Sequence, residues 1–180
     1  MRVFLMPTEV NYMSVIFDGK GFKAEKLCVK QFNGTLLSAK SFQYRDIDCY
    51  VKNKKGKQYT ASVKDQTYSM KQGYDTIQIE LKQTNTRNNS SIQGCFRKNE
   101  SDLYFWLVWY EGKAQWFLCE SKKLKKYVDA NLSTLRTWTT SSKTEEKNRN
   151  YRRTYDRSEG VMINMAALLT IGALKPLEGQ

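Results

Sequence analysis

Residues 44 to 66 alternate like the two arms of a hairpin. In the first arm Ile47, Cys49 and Val51 alternate with Asp46, Asp48, Tyr50 and Lys52. In the second, Tyr59, Ala61 and Val63 alternate with Gln58, Thr60, Ser62 and Lys64. A strand sends successive side chains to opposite faces, so each set lies on one side of a sheet. Lys54-Lys55-Gly56 reads as a three-residue loop with Gly56 in the left-handed position. That loop sets Asp48 opposite Ser62, with Lys64 one step along the same face. The apolar side has to be buried. The polar side gathers an acid, a hydroxyl and an ammonium, groups that together hold a divalent metal and a phosphate. The same alternation also describes a solvated hairpin face, so the flanking sequence bears on the choice.

Upstream, Phe22, Ala24, Leu27, Cys28, Val29 and Phe32 fall near helical spacing around Glu25, and Gly34 stands where a helix ends. Thr35 to Phe42 reads as a short strand. The order is therefore a helix carrying Glu25, a strand, a strand opened by Asp48, a turn, and a strand carrying Ser62-x-Lys64. This arrangement resembles the PD-(D/E)XK nuclease superfamily, in particular its Holliday-junction-resolvase-like and restriction-endonuclease-like branch. The resemblance covers roughly residues 20 to 130. It matches Glu25, Asp48 and Lys64 to the family's helix Glu, strand-opening Asp and the Lys of Glu-x-Lys, with thirteen residues between Asp48 and Ser62. It implies an α/β restriction-endonuclease-like core: a helix, a mixed sheet of about five strands with an antiparallel meander, and flanking helices. It also implies a Mg²⁺- or Mn²⁺-dependent DNA endonuclease, acting on branched or junction DNA in that branch of the family.

The chain departs from the family at Ser62, which stands in place of the Glu. Glu80 is the candidate replacement. Ile77, Ile79 and Leu81 alternate with Thr76, Gln78, Glu80 and Lys82, and as the next strand of a meander this segment would add its polar face to the hairpin's. A second registration reads Glu80-Leu81-Lys82 as Glu-x-Lys with Asp65 as the partner acid. It ranks lower, because Asp65 follows a strand end and Glu25 then fits no helix just upstream. The expected site has Asp48, Glu80 and the Val63 carbonyl as metal ligands, helped by the Ser62 hydroxyl. Lys64 stabilises the oxyanion, Gln66 orients water or a flanking phosphate, and Glu25 reaches the metal through water.

Thirty Lys and Arg against eighteen Asp and Glu give a net charge of +12, as a polyphosphate partner selects, so DNA is the expected partner. There is no His, which removes His-based acid–base chemistry, His nucleophiles and His zinc sites, whereas carboxylate, lysine and metal chemistry needs none. Cys28, Cys49, Cys95 and Cys119 form no Cys-x-x-Cys pair, and Cys28 and Cys49 fall on apolar faces, as reduced core residues do. No leader peptide or membrane span is legible, so the expected location is cytoplasmic. A homodimer would supply the two active sites that a double-strand cutter or resolvase needs.

One domain is expected over residues 1 to 180, with its core over about 20 to 133. Residues 84 to 100 are polar and Asn-rich and read as a loop with one helical turn. Residues 102 to 110 are almost wholly apolar and aromatic, as a central strand covered on both faces is. Residues 121 to 131 read as an amphipathic helix buried through Leu124, Tyr127 and Val128. Residues 134 to 159 read as a basic arm, with Arg149, Arg152, Arg153 and Arg157 for phosphates, Tyr151 and Tyr155 for stacking, and little acid beside Asp156 to pair them. Lys82 joins the candidate nucleic-acid contacts. The same arm also reads as an ordinary surface loop. Residues 160 to 180 are apolar enough to dock back on the core. Two other functions fit the sequence: a decayed nuclease fold that binds DNA without cutting, and a basic inhibitor of an acidic protein.

Overall fold

The aromatic run at residues 103–110 forms the middle of the molecule. The structure, a computed structural model, describes residues 21–150 and 154–177. Its elements in chain order are α1 (Gly21–Gln31), β1 (Thr35–Leu36), α2 (Lys40–Tyr44), β2 (Cys49–Lys52), β3 (Gln58–Asp65), α3 (Thr67–Lys71), β4 (Thr76–Asn85), β5 (Ser90–Gln93), α4 (Cys95–Lys98), β6 (Leu103–Tyr110), β7 (Lys113–Glu120), α5 (Ser121–Asn131), β8 (Arg136–Thr139), α6 (Ser142–Asn150), β9 (Arg157–Asn164), α7 (Met165–Thr170) and β10 (Leu174–Pro176).

The architecture is α/β with two sheets. One is a six-stranded mixed sheet in the order β1-β2-β3-β6-β7-β10, whose β3–β6 pair is parallel. The other is a four-stranded antiparallel sheet in the order β5-β4-β9-β8. Strand β6 is covered on both sides, which is why it carries no alternation. Leu103, Phe105 and Leu107 pack with Ala24, Leu27 and Cys28 of α1 and with Phe32. Tyr104, Trp106 and Val108 pack with Ile77 and Ile79 of β4 and Val161 and Ile163 of β9. The second sheet thus covers the face of the first that α1 leaves open.

The hairpin register is the expected one. Cys49 pairs with Ala61 and Val51 with Tyr59, so one further step brings Asp48 opposite Ser62. Gly56 takes its left-handed turn at φ +75°. Helix α1 ends in a Schellman motif: Asn33 is left-handed at φ +54°, and Gly34 N–H donates to Val29 O at 2.8 Å. Gly34 is needed for a different reason, since a Cβ there would lie 2.3 Å from Tyr50 O on β2. Helix α5 has the bounds read from its periodicity, with Leu124 and Val128 fully buried.

Three expectations are corrected. The strand read over Thr35 to Phe42 is two residues of β1 followed by α2, in a stretch from Ser38 to Arg45 that holds no β-branched residue. The Asn-rich loop of residues 84 to 100 is largely regular. It is the β4–β5 turn followed by α4, and Asn85 and Asn88 close the turn by accepting from Arg87 N–H and Ser90 N–H. Strand β4 is not the next strand of the hairpin's meander but one of the two inner strands of the second sheet, paired with β5 and β9. The basic arm also folds, as β8, α6 and the start of β9, while Tyr151, Arg152 and Arg153 lie outside the described residues. From the C-terminal segment Val161, Ile163, Met165, Leu168 and Leu174 enter the core beside β4 and β6, and residues 178–180 lie outside the described residues. Among the described residues no helix is long and apolar enough to cross a membrane.

Candidate functional site

The polar face of the hairpin closes into a hydrogen-bonded cluster around Ser62. Ser62 is fully buried, and its hydroxyl lies 2.9 Å from Asp46 Oδ2 and 3.3 Å from Asp48 Oδ2. Asp48 opens β2, and its Oδ2 accepts the Val63 N–H at 2.7 Å. Lys64, two residues beyond Ser62 on the same face, donates to Asp46 Oδ1 at 2.6 Å as a part-buried ion pair. The cluster therefore contains Asp48, Ser62 and Lys64 as the alternation requires, with Asp46 as the acid that binds the lysine.

Helix α2 aims Asp46. The helix ends in a full Schellman motif with Asp46 at its left-handed position, φ +52°. Ile47 N–H returns to Phe42 O at 3.0 Å and Asp46 N–H to Gln43 O at 3.1 Å. Asp is among the few residues that adopt this backbone readily. Buried Asn99 then pins it from the far side, its Nδ2 reaching Asp46 O at 3.0 Å and Oδ2 at 3.2 Å. Asn99 is itself held by Ser101, and its carbonyl accepts from Lys125 of α5. Asp46 was visible in the sequence, two residues before Asp48 on the same face. Asn99 carried no such signal, because its approach depends on the turn before β6.

Three carboxylates (Glu25, Asp46 and Asp48) act on the Lys64 ammonium and on each other. Burial pushes the Asp48 carboxyl above its ordinary range, against the pull of Lys64 and of the Val63 N–H. Partial burial raises Glu25 too, and the Asp48 charge adds to it. Burial works against the Lys64 charge more than any other single influence, yet the negative groups around it, Asp46 first and Asp48 with it, together outweigh burial and hold the ammonium above its usual range. Cys95, beside Lys64, is pushed up to about 12 by burial, so it stays a neutral thiol.

The other predicted residues are distributed as follows. Val63 meets Asp48 through its amide. Gln66 bridges the sheets, accepting from Gln78 N–H at 3.1 Å and donating to Gln78 O at 3.0 Å. Glu80 lies beside a β-bulge between Glu80 and Lys82, where β4 slips against β9. Its Oε1 accepts the Cys95 N–H at 3.1 Å, anchoring α4, and its Oε2 accepts from Gln83 at 3.3 Å. Glu80 and Lys64 line one cavity between the sheets. Lys82 faces Glu159 at 3.9 Å. Arg149 pairs with Asp156 at 2.9 Å and Arg157 with Glu145 at 2.6 Å, so both guanidinium groups are engaged within the fold.

Among the described residues no three His, Cys, Asp or Glu side chains come together to enclose a metal ion. What the cluster offers is sparser. Among those residues Asp48 Oδ1 accepts no hydrogen bond, and Glu25 has neither a hydrogen bond nor an ion pair. Mg²⁺ commonly keeps several waters and is held by one or two carboxylates plus substrate phosphate. One open carboxylate oxygen with a second acid nearby, carrying more negative charge than one lysine offsets, fits that mode and not an all-protein cage. No protein-family model, curated protein or solved structure matches the chain.

Proposed function

We propose that the protein is a metal-dependent endonuclease that hydrolyses DNA phosphodiester bonds, on a core of the PD-(D/E)XK kind. The observation that carries this reading is the cluster itself. Ser62 bonds Asp48 across the hairpin face, Lys64 joins them through Asp46, and Glu25 of α1 lies in the field of Asp48 and Lys64. Asp48 Oδ1 together with a substrate phosphate would hold Mg²⁺ or Mn²⁺, with Glu25 as an outer acid. When bound, the ion lowers the pKa of a water and offsets phosphate charge. Ser62 and the Val63 amide orient Asp48. Asp46 keeps Lys64 protonated and in place, so the lysine acts as a fixed positive charge toward the phosphate oxygens and not as a base.

Divalent-dependent nicking of supercoiled plasmid tests this. Lys64→Ala and Asp48→Ala should each lower the rate about 10²- to 10³-fold, the weight of one preorganised electrostatic interaction. Unchanged turnover in Lys64→Ala would sink the assignment.

A second reading is a nuclease fold that binds DNA without cutting. The closed Lys64–Asp46 pair at 2.6 Å and Ser62 in the place of a carboxylate favour it. It predicts salt-dependent DNA binding and no nicking with any divalent ion.

A further inference from the structure

The tip of the β2–β3 hairpin carries a block of positive charge that the hydrolytic cluster does not use. Lys52, Lys54, Lys55 and Lys57 fall within six residues, and no Asp or Glu stands between Asp48 and Asp65. All four are exposed, and among the described residues none forms an ion pair. The lysines of α5 differ: Lys123 pairs with Glu120, and Lys125 donates to Asn99 O. The tip is also held in one shape. Asn53 N–H donates to Lys57 O at 3.0 Å and Gly56 N–H to Asn53 O at 2.9 Å. Asn53 Oδ1 accepts from Lys55 N–H at 2.9 Å and from Lys57 N–H at 3.0 Å. Lys57 Nζ lies over the Tyr59 ring, 5.2 Å from its centroid. Like charges gathered on one ordered turn repel each other and add nothing to the fold, so the block asks for a polyanion.

We propose that the hairpin tip grips the phosphate backbone of duplex DNA to one side of the scissile bond. The inference rests on the nuclease reading, which lays a phosphodiester over Asp48. Asp48, Tyr50 and Lys52 share a face by strand alternation, so the tip continues the surface on which the cluster stands. At about 3.3 Å per residue Lys52 lies about 13 Å along the strand from Asp48, the length of about four base pairs, and the turn reaches further. Ammonium groups bind phosphate as point charges. Asn53 cannot make the bidentate contact by which Asn reads adenine, because its Oδ1 is spent on the turn. The contact is therefore to the backbone, and it positions the duplex without reading its sequence. Residues 52 to 58 hold no apolar side chain to bury in an anionic membrane. An acidic protein surface is also a poorer match, since lysine is depleted in protein interfaces.

The test is salt-dependent binding by fluorescence anisotropy, without divalent cations, on two duplexes of unrelated sequence. Lys54→Ala with Lys55→Ala should lower the slope of log affinity against log salt by about 1.8, or about 0.9 for each phosphate contact, alike for both sequences. Because both side chains are exposed and form no ion pair among the described residues, this pair should keep the wild-type Tm. Lys54→Arg with Lys55→Arg should keep the wild-type slope. Lys71, over the Trp109 ring, and Lys113, at the start of β7, lie at the opposite end of the sheet, because β3 and β6 run parallel. Lys71→Ala with Lys113→Ala removes as much charge and should leave the slope nearly unchanged. An unchanged slope in the alanine pair at the tip, an equal fall in the pair at the opposite end, or a fall confined to one sequence overturns the proposal. So does tighter wild-type binding to polyglutamate than to DNA at equal salt, which would point to an acidic protein. Plasmid nicking is scored separately. A lower slope without nicking refutes hydrolysis and keeps the DNA contact, and nicking with an unchanged slope does the reverse.

Discussion

Ser62 stands where the family resemblance asks for a carboxylate, and the surrounding atoms explain why a hydroxyl is there. It bridges Asp46 and Asp48 from a fully buried position, a task for a donor. Ser62→Glu would put a third carboxylate against those two and should lower Tm instead of improving metal affinity. Ser62→Ala should cost about 1.5–3 kcal/mol in urea denaturation, the scale of a hydrogen bond to a charged group. The pH dependence has a definite sign. Glu25 and Asp48 have folded pKa values above the unfolded carboxylate range of about 4, so the folded state holds their protons more tightly. Their contribution to stability is therefore present below about pH 4 and is lost as pH rises through the raised values. Asp48→Asn removes one of these groups and should move Glu25 down, flattening the slope of urea midpoint against pH. A Glu25 carboxyl that titrates unchanged by NMR in that variant would show that the two acids do not share a field. Lys64 is raised as well, so its contribution holds at all pH values below its ordinary range and is lost only above it.

At the scale of elements, two Schellman motifs do the positioning. Asn33 turns the chain from α1 into β1, and Asp46 turns it from α2 into β2 while presenting its carboxylate to Lys64. The second sheet depends on a close approach instead. A Cβ on Gly160 would lie 1.9 Å from Ile79 O and 2.8 Å from Trp138 Nε1, which donates to Val161 O at 3.2 Å. Gly160→Ala should therefore part β4 from β9. At a cost of about 2 kcal/mol, Tm should fall by about 4–8 °C, measured by calorimetry. A shift below one degree would mean that the strands relax around the methyl. The aromatic run of β6 and the α5 stripe were legible because burial on two faces, or on one, leaves its period in the residues. Strand β4 was legible as a strand but not as a member of a sheet, because alternation is the same whichever strand lies alongside.

The basic charge separates into two kinds at the scale of the whole molecule. Arg149 and Arg157 tie α6 to β9 through Asp156 and Glu145. Bonds from Arg157 hold the Glu145 carboxyl below its ordinary range. Burial pushes Asp156 up, but bonds from Thr86 and Arg149 outweigh it and hold that carboxyl low as well. The proposed phosphate binding of this segment then falls to Arg152 and Arg153. Replacing both with Ala should weaken duplex binding alike for all sequences and reduce the salt slope by about 0.9 for each phosphate no longer neutralised. Arg149→Ala should instead lower Tm and leave the slope nearly unchanged. Isothermal titration at several salt concentrations reads the slope and calorimetry the Tm, and a slope that responds to Arg149 but not to Arg152 and Arg153 would reverse the division.

Local rules suffice for whatever a period or a turn encodes. Read from the residues alone, Asp48 faces Ser62 with Lys64 beside it, because a three-residue loop closed by Gly56 allows one register. The helix carrying Glu25 and the twice-covered strand at 103–110 follow from the same kind of rule. What tertiary structure decided is which of these pieces meet. Glu80, Gln66 and Trp138 share a cavity because a second sheet lies over β6. Arg149 and Arg157 are engaged because the segment folds back on itself and sets Asp156 and Glu145 beside them. Asn99 reaches Asp46 across 53 residues. Long-range pairs of this kind cost loop-closure entropy that no local pattern records, so only the folded chain specifies them.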